Sequence, residues 1–263
     1  MSLVEYAAAE GIATLTLNNA PANCYSREMM TELDAAILTA RFDASVHVIV
    51  IRGAGEKFFC AGADIAMLDG ADPYFKYNFC LHANETLLRL EHTPKLVIAA
   101  IDGHCVGGGL EIALACDLRI ARAGAGKAGL PEVKLGVLPG TGGTQRLVRL
   151  VGKPKAIELM AVGDTFDHAR ALELGLFDHL WEAASHDDFH AKVRAWSQQF
   201  VPPNAASRAV GLIKRACQTG AEVAIADGLA LERELQQRLF ESEDAREGLA
   251  AYNQRRKPEF TGR

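Results

Sequence analysis

The stretch Leu96-Val97-Ile98-Ala99-Ala100-Ile101-Asp102-Gly103-His104-Cys105-Val106-Gly107-Gly108-Gly109-Leu110-Glu111-Ile112-Ala113-Leu114-Ala115-Cys116-Asp117 carries the change of texture on which the fold turns. Its first six residues are a continuous apolar run, which reads as a strand buried on both faces. Gly103 and then Gly107-Gly108-Gly109 make a turn. The residues that follow are apolar on every side of Glu111, the pattern of a helix buried all round. Working outward, residues 12–17 and 46–52 read as further strands with a helix over 27–41 between them. A second helical pattern covers 73–91 and stops before Pro94, whose ring disfavours helix at the preceding residue. This alternation predicts an α/β core.

From about residue 183 the texture becomes amphipathic and helical, over 189–199, 204–219, 221–240 and 244–254, with no strand candidate. Val201-Pro202-Pro203 is the clearest break, and Asn204 is the expected N-cap of the next helix. The chain therefore divides into a core, residues 1–195, and a helical region, 196–263. Without a sheet of its own, that region must bury its apolar stripes on the core or on another subunit, so oligomerisation is expected.

Composition excludes several classes. With 263 residues, 49% hydrophobic and 23% charged, the chain is globular rather than disordered. Its net charge of −5 argues against a nucleic-acid binder, which needs a basic stripe. The six cysteines show neither C-x-x-C spacing nor a Cys/His array, so no metal site is signalled and most are expected to be buried hydrophobes. No charged-then-apolar leader and no apolar run near 18 residues occur, so a soluble cytoplasmic protein without a membrane partner is expected. Of the 24 glycines, eleven fall between Gly103 and Gly143.

Three segments carry candidate chemistry. Residues 53–65 run from a strand exit through small residues to Asp64, which either caps a helix or belongs to a site with backbone donors. Glu111 is a carboxylate among apolar residues. A lone buried carboxylate has a raised pKa, as a general acid or base needs; the alternative is a structural salt bridge, although no basic residue lies within four positions. Glu132 by itself reads more often as a solvated first-turn or turn residue than as a catalytic one. The Gly-rich run after it is not a dinucleotide fingerprint, because Gln145 stands where G-x-G-x-x-G needs glycine, and Gly126-Lys127 fails as a P-loop. Two glycine turns and two carboxylates together suit an oxyanion, such as a thioester carbonyl becoming an enolate, each donor contributing about 3 kcal/mol to the transition state.

The segments Phe59-Cys60-Ala61-Gly62-Ala63-Asp64-Ile65, Gly107-Gly108-Gly109-Leu110-Glu111 and Leu130-Pro131-Glu132 through Pro139-Gly140-Thr141-Gly142-Gly143-Thr144-Gln145-Arg146-Leu147, in this order, resemble the crotonase superfamily, specifically enoyl-CoA hydratases. The likeness runs over essentially the whole chain, including the tail from Glu247-Gly248-Leu249 to Arg256-Lys257-Pro258-Glu259-Phe260. It implies a spiral of ββα turns as the catalytic core, followed by a helical trimerisation region, with trimers that pair into hexamers. It implies that the N–H groups of Ala63 and Gly108 form an oxyanion hole and that Glu111 and Glu132 hold one water between them. The resemblance further places Ala61, Ala63, Asp64, Ile65 and Gly108 along the CoA site, and Lys257 on the CoA of a neighbouring subunit. The implied reaction is hydration of trans-2-enoyl-CoA to 3-hydroxyacyl-CoA, as in fatty-acid β-oxidation, with the CoA thioester as substrate and no cofactor, metal or nucleic-acid partner.

Isomerases of the superfamily commonly keep a glutamate corresponding to Glu132 without one at Glu111, so the pair favours a hydratase over an isomerase or a methylglutaconyl-type dehydratase. A non-catalytic RNA-binding relative is the reading of a different class, against which the charge and the glutamate pair both count. Two departures stand out. Cys24-Tyr25 replaces the Ala-Leu of many relatives, which leaves the acyl preference open. Residues 122–129 run about one residue longer than usual between the glutamates, which leaves the placement of Glu132 open.

Overall fold

A computed structural model describes residues 2–263. Strands β1 (Val4–Ala9), β2 (Ile12–Leu17), β3 (Val48–Gly53), β5 (Leu96–Ile101), β7 (Leu118–Arg122) and β10 (His179–Trp181) form one sheet in that order, parallel except for the β1–β2 hairpin. Strands β4 (Phe58–Cys60), β6 (His104–Val106), β8 (Lys127–Gly129) and β9 (Phe166–Asp167) form a smaller sheet, with β8–β9 its antiparallel pair. Successive strands from β3 to β8 alternate between the sheets before each helix. The chain thus winds as ββα turns, the crotonase-type spiral, and the short second strand of each turn delivers a loop to the same side.

The large sheet reads as continuous apolar runs because both of its faces are covered. Leu15, Leu17, Ile49, Ile51, Val97 and Ile101 point to one face, against Met30, Leu33 and Ile37 of α1 (Arg27–Phe42) and Leu87 and Leu90 of α3 (Pro73–His92). Ile12, Val48, Val50, Ile98 and Ile120 point to the other, against Phe189 and Val193 of α8 (His186–Ser197). The register Ile12↔Val48↔Leu96 keeps these rows aligned. At about 1.5–3 kcal/mol for each buried large side chain, these rows are the main stabilising contribution. Between β4 and α3 lies the short α2 (Ile65–Asp69), and α4 (Gly108–Leu114) is buried along its whole length. Then come α5 (Gly143–Val151), α6 (Lys153–Val162) and α7 (His168–Glu173).

The expected division after residue 195 falls inside α8, which packs on the sheet. Beyond it are α9 (Ser207–Gly220), α10 (Ile225–Phe240) and α11 (Glu243–Gln254). Asn204 does not cap α9: its side chain donates to Gln198 O at 3.0 Å, and the helix starts after Ala206 with no side-chain cap. Of the cysteines, Cys60, Cys105 and Cys116 are buried, Cys24 and Cys80 are half-buried and Cys217 is exposed, so half rather than most are core residues. Among the described residues no helix is long and apolar enough to cross a membrane.

Candidate active site

The site forms where β6 runs through Gly107 into α4. Gly107 has φ +55°, and its N–H donates to Gly129 O at 2.9 Å, where β8 ends. That pairing swings the 3-10 turn Glu132–Leu135 over the start of α4. A Cβ on Gly107 would stand 3.1 Å from Glu132 Oε1, so position 107 needs glycine both for its backbone conformation and for this approach. Glu111 sits one turn into α4, 1% exposed. The two glutamates therefore meet the same glycine turn from different elements.

Glu111 is held by amides. Its Oε1 accepts from Thr141 N at 2.8 Å and Gly143 N at 2.7 Å, and a Cβ on Gly143 would stand 2.9 Å from that same oxygen. Burial raises the Glu111 pKa; the Gly143 and Thr141 hydrogen bonds and the more distant Arg146 pull it down. The salt-bridge alternative is not realised: no basic side chain hydrogen-bonds Glu111, and Arg146 is engaged by Glu91 at 2.9 and 2.6 Å. Glu132 is half-buried, and its Oε2 is buried without a protein partner. Burial pushes its pKa up to about 7, with the charge of Glu111 adding to the shift and Lys76 opposing it. One carboxyl thus receives donors that favour its charged form, while the other keeps its proton to neutrality.

The candidate oxyanion donors lie beside this pair. Tyr25 N donates to Gly62 O at 2.9 Å and Asp64 N to Tyr25 O at 3.0 Å, the pattern of a parallel bridge, which turns the N–H of Ala63 to the opposite side. Gly108 is the first residue of α4, where an N–H has no intrahelical partner. A Cβ on Gly62, at φ +99°, would lie 3.1 Å from Gly108 N, so the two donor turns come together through glycine. Ala61 belongs to the same turn, its N–H donating to Ala22 O at 3.0 Å. Asp64 caps α2, accepting from Ala66 N at 2.9 Å and Met67 N at 3.3 Å, and Ile65 is exposed beside it. Lys257 is exposed in the tail after α11 and is not brought to the glutamates within this chain.

The sequence reading missed Thr141 and Gly143 as donors to Glu111, and it left Tyr25 without a role. Its only signals were the glycine-rich run for the first two and the departure from the common pattern for the third. Among the described residues Asp102, His186 and His190 are the one group of side chains spaced to hold a metal, but the carboxylate is already taken by Arg122 and by His186 Nδ1 at 2.6 Å. Arg122 and Arg52 also place positive charge beside His190, so the group fits an ion pair better than a cation site. A cavity of about 1100 Å³ between α3, α5 and α9 is lined by neither Glu111 nor Glu132.

The family model described as enoyl-CoA hydratase/isomerase matches residues 7–263. A probable enoyl-CoA hydratase of Bacillus subtilis (strain 168) is 36% identical over 263 residues, covering 100% of both chains. An enoyl-CoA isomerase/hydratase of Mycosarcoma maydis is 38% identical over 96% of this chain and 93% of its own. Among solved structures, an enoyl-CoA hydratase from Geobacillus kaustophilus HTA426 superposes with a TM-score of 0.96 at 42% identity, covering 100% of this chain and 98% of its own. One from Bacillus anthracis gives 0.90 at 32% identity, covering 99% and 100%.

Proposed function

The chain belongs to the enoyl-CoA hydratase/isomerase family of the crotonase superfamily, and from that premise we propose that it hydrates trans-2-enoyl-CoA to 3-hydroxyacyl-CoA and catalyses the reverse dehydration. The observation that carries this reading over the isomerase is the pair: Glu111 is supplied with amide donors, and Glu132, near enough to feel its charge, holds its proton to about 7.

In this mechanism the thioester oxygen accepts from the N–H groups of Ala63 and Gly108. A water between the carboxyls attacks the β-carbon as Glu111 takes its proton, and the π electrons move onto the thioester oxygen as an enolate. Glu132 then gives its proton to the α-carbon, so that H and OH have added across the double bond. Proton return from Glu111 to Glu132, directly or through water, resets the pair. The turn Ala61 to Ile65 lines the CoA chain, and Lys257 reaches the CoA of a neighbouring subunit. The reaction needs no metal or redox cofactor, and the enzyme works as a trimer or a dimer of trimers.

Crotonyl-CoA tests the reading directly. Loss of its enoyl-thioester absorbance on adding enzyme, with 3-hydroxybutyryl-CoA as product, is expected. Unchanged absorbance at high enzyme, together with conversion of a 3-enoyl-CoA, would establish the isomerase instead.

A further inference from the structure

Tyr25 touches both donor turns and the loop that holds Glu111 without being one of the groups assigned to the reaction. Its backbone forms the bridge that orients the Ala63 turn. Its ring edge lies against Gly108, where a Cβ would stand 2.5 Å from Tyr25 Cε1, and its face stacks on Phe79 with centroids 5.8 Å apart. Its hydroxyl lies 2.8 Å from Thr141 Oγ1, and both side chains are buried, at 2% and 3% exposure. Thr141 is in turn the residue whose N–H binds Glu111 Oε1.

An apolar side chain would fill the same volume without having to satisfy a buried hydroxyl, which costs free energy unless it is bonded. The hydroxyl is therefore explained by what it bonds to. Desolvation holds Tyr25 neutral, so a proton joins the two hydroxyls whichever of them donates. Tying the Thr141 hydroxyl to Tyr25 fixes the turn whose Thr141 and Gly143 N–H groups bind Glu111 Oε1 and favour its charged form.

We propose that Tyr25 is a positioning residue for Glu111: through the Tyr25–Thr141 hydroxyl pair it fixes the loop whose Thr141 and Gly143 amides hold the Glu111 carboxylate. The proposal rests on Glu111 serving as the base in the hydration above. It gives this chain a side-chain tie to the loop that holds Glu111, which a leucine at position 25 could not make.

The test compares wild type with Y25F, T141V, T141S and the Y25F/T141V double variant, using two readouts. The first is the Glu111 carboxyl band in an infrared pH titration, identified by its disappearance in E111Q. The second is turnover of crotonyl-CoA. Loss of the hydroxyl tie loosens the amide donors that favour the charged form, so the band's midpoint should move to higher pH in Y25F and T141V, stay near wild type in T141S, and move no further in the double variant. In turnover, kcat should fall about three- to tenfold in Y25F with KM little changed. An unshifted Glu111 midpoint in Y25F, or additive effects in the double variant, would overturn the proposal. If Y25F fails to fold, the T141V and T141S pair decides alone: equal midpoints in the two would overturn it. A wild type that leaves crotonyl-CoA unchanged while its Glu111 midpoint still moves in Y25F would refute the hydratase reading and leave the positioning role standing.

Discussion

Glu111 and Glu132 are the same residue type given opposite tasks by their neighbours. Amides aimed at Glu111 lower the cost of its charge, whereas Glu132 has an oxygen with no donor and a charged carboxylate nearby. Replacing either by glutamine keeps its shape and removes its proton transfer, so E111Q and E132Q should each lose about 10²–10⁴ in kcat while retaining CoA-ester binding by calorimetry. Wild-type turnover in either variant would remove that residue from the mechanism. Because Glu132 must be protonated to act as the acid, kcat/KM should fall as pH rises through about 7, and this limb should vanish in E132Q. The same shift has a stability sign. With its folded pKa raised to about 7, Glu132 binds more proton folded than unfolded between about 4.5 and 7, so its contribution to stability declines as pH rises through that window. Glu111 was legible in the sequence because apolar neighbours on all sides made a carboxylate there anomalous. Glu132 was not legible from its neighbours: it lies among exposed residues, and its burial comes from Gly107 across the β6–β8 pairing, a contact between segments 25 residues apart. The resemblance alone singled it out.

Among the elements, α9 shows how the helical region joins the core. Gly211 has no Cβ to collide with Pro94 O, so the helix comes down onto the start of β5. One turn on, Lys214 Nζ reaches Asp117 Oδ2 at 2.9 Å, Leu90 O at 2.8 Å and Lys95 O at 3.1 Å, while Asp117 also accepts from Val97 N at 2.7 Å. Lys214 is buried with each of its three N–H groups engaged and Asp117 is half-buried beside it, so removing one member strands the other. K214M should lower unfolding stability by about 3–5 kcal/mol in urea titration, and the K214M/D117N double variant should recover part of that loss. Additive losses would show that the pair is not coupled. The sequence placed this helix within a few residues of its true limits, because its apolar stripe has helical period. It misplaced the cap, because Asn204 is used by the preceding turn. The strands of the small sheet escaped notice for a different reason: β4, β6 and β8 are three residues each, too short for period-two alternation to register, and they exist because each pairs with the next turn of the spiral.

For the whole molecule, the spiral satisfies its own core and the helical region does not. Helix α10 buries only Leu235 of its 16 residues, while Ile225 is 78% and Leu229 is 45% exposed. On α11, Leu249 and Tyr252 are exposed too, as are Leu135, Val137 and Leu138 just past Glu132. A helix with so little burial is marginal alone in water, and apolar side chains this numerous on one region call for a partner surface. A second and third copy of the chain are the occupants proposed above. Sedimentation equilibrium at micromolar concentration should therefore give three or six times the chain mass, and the melting temperature should rise with protein concentration. I225D/L229D should shift the mass toward the monomer and lower the melting temperature, because the proposed assembly face would carry charge. A monomeric wild type, or an I225D/L229D variant with unchanged mass, would show that these faces are not the assembly surface.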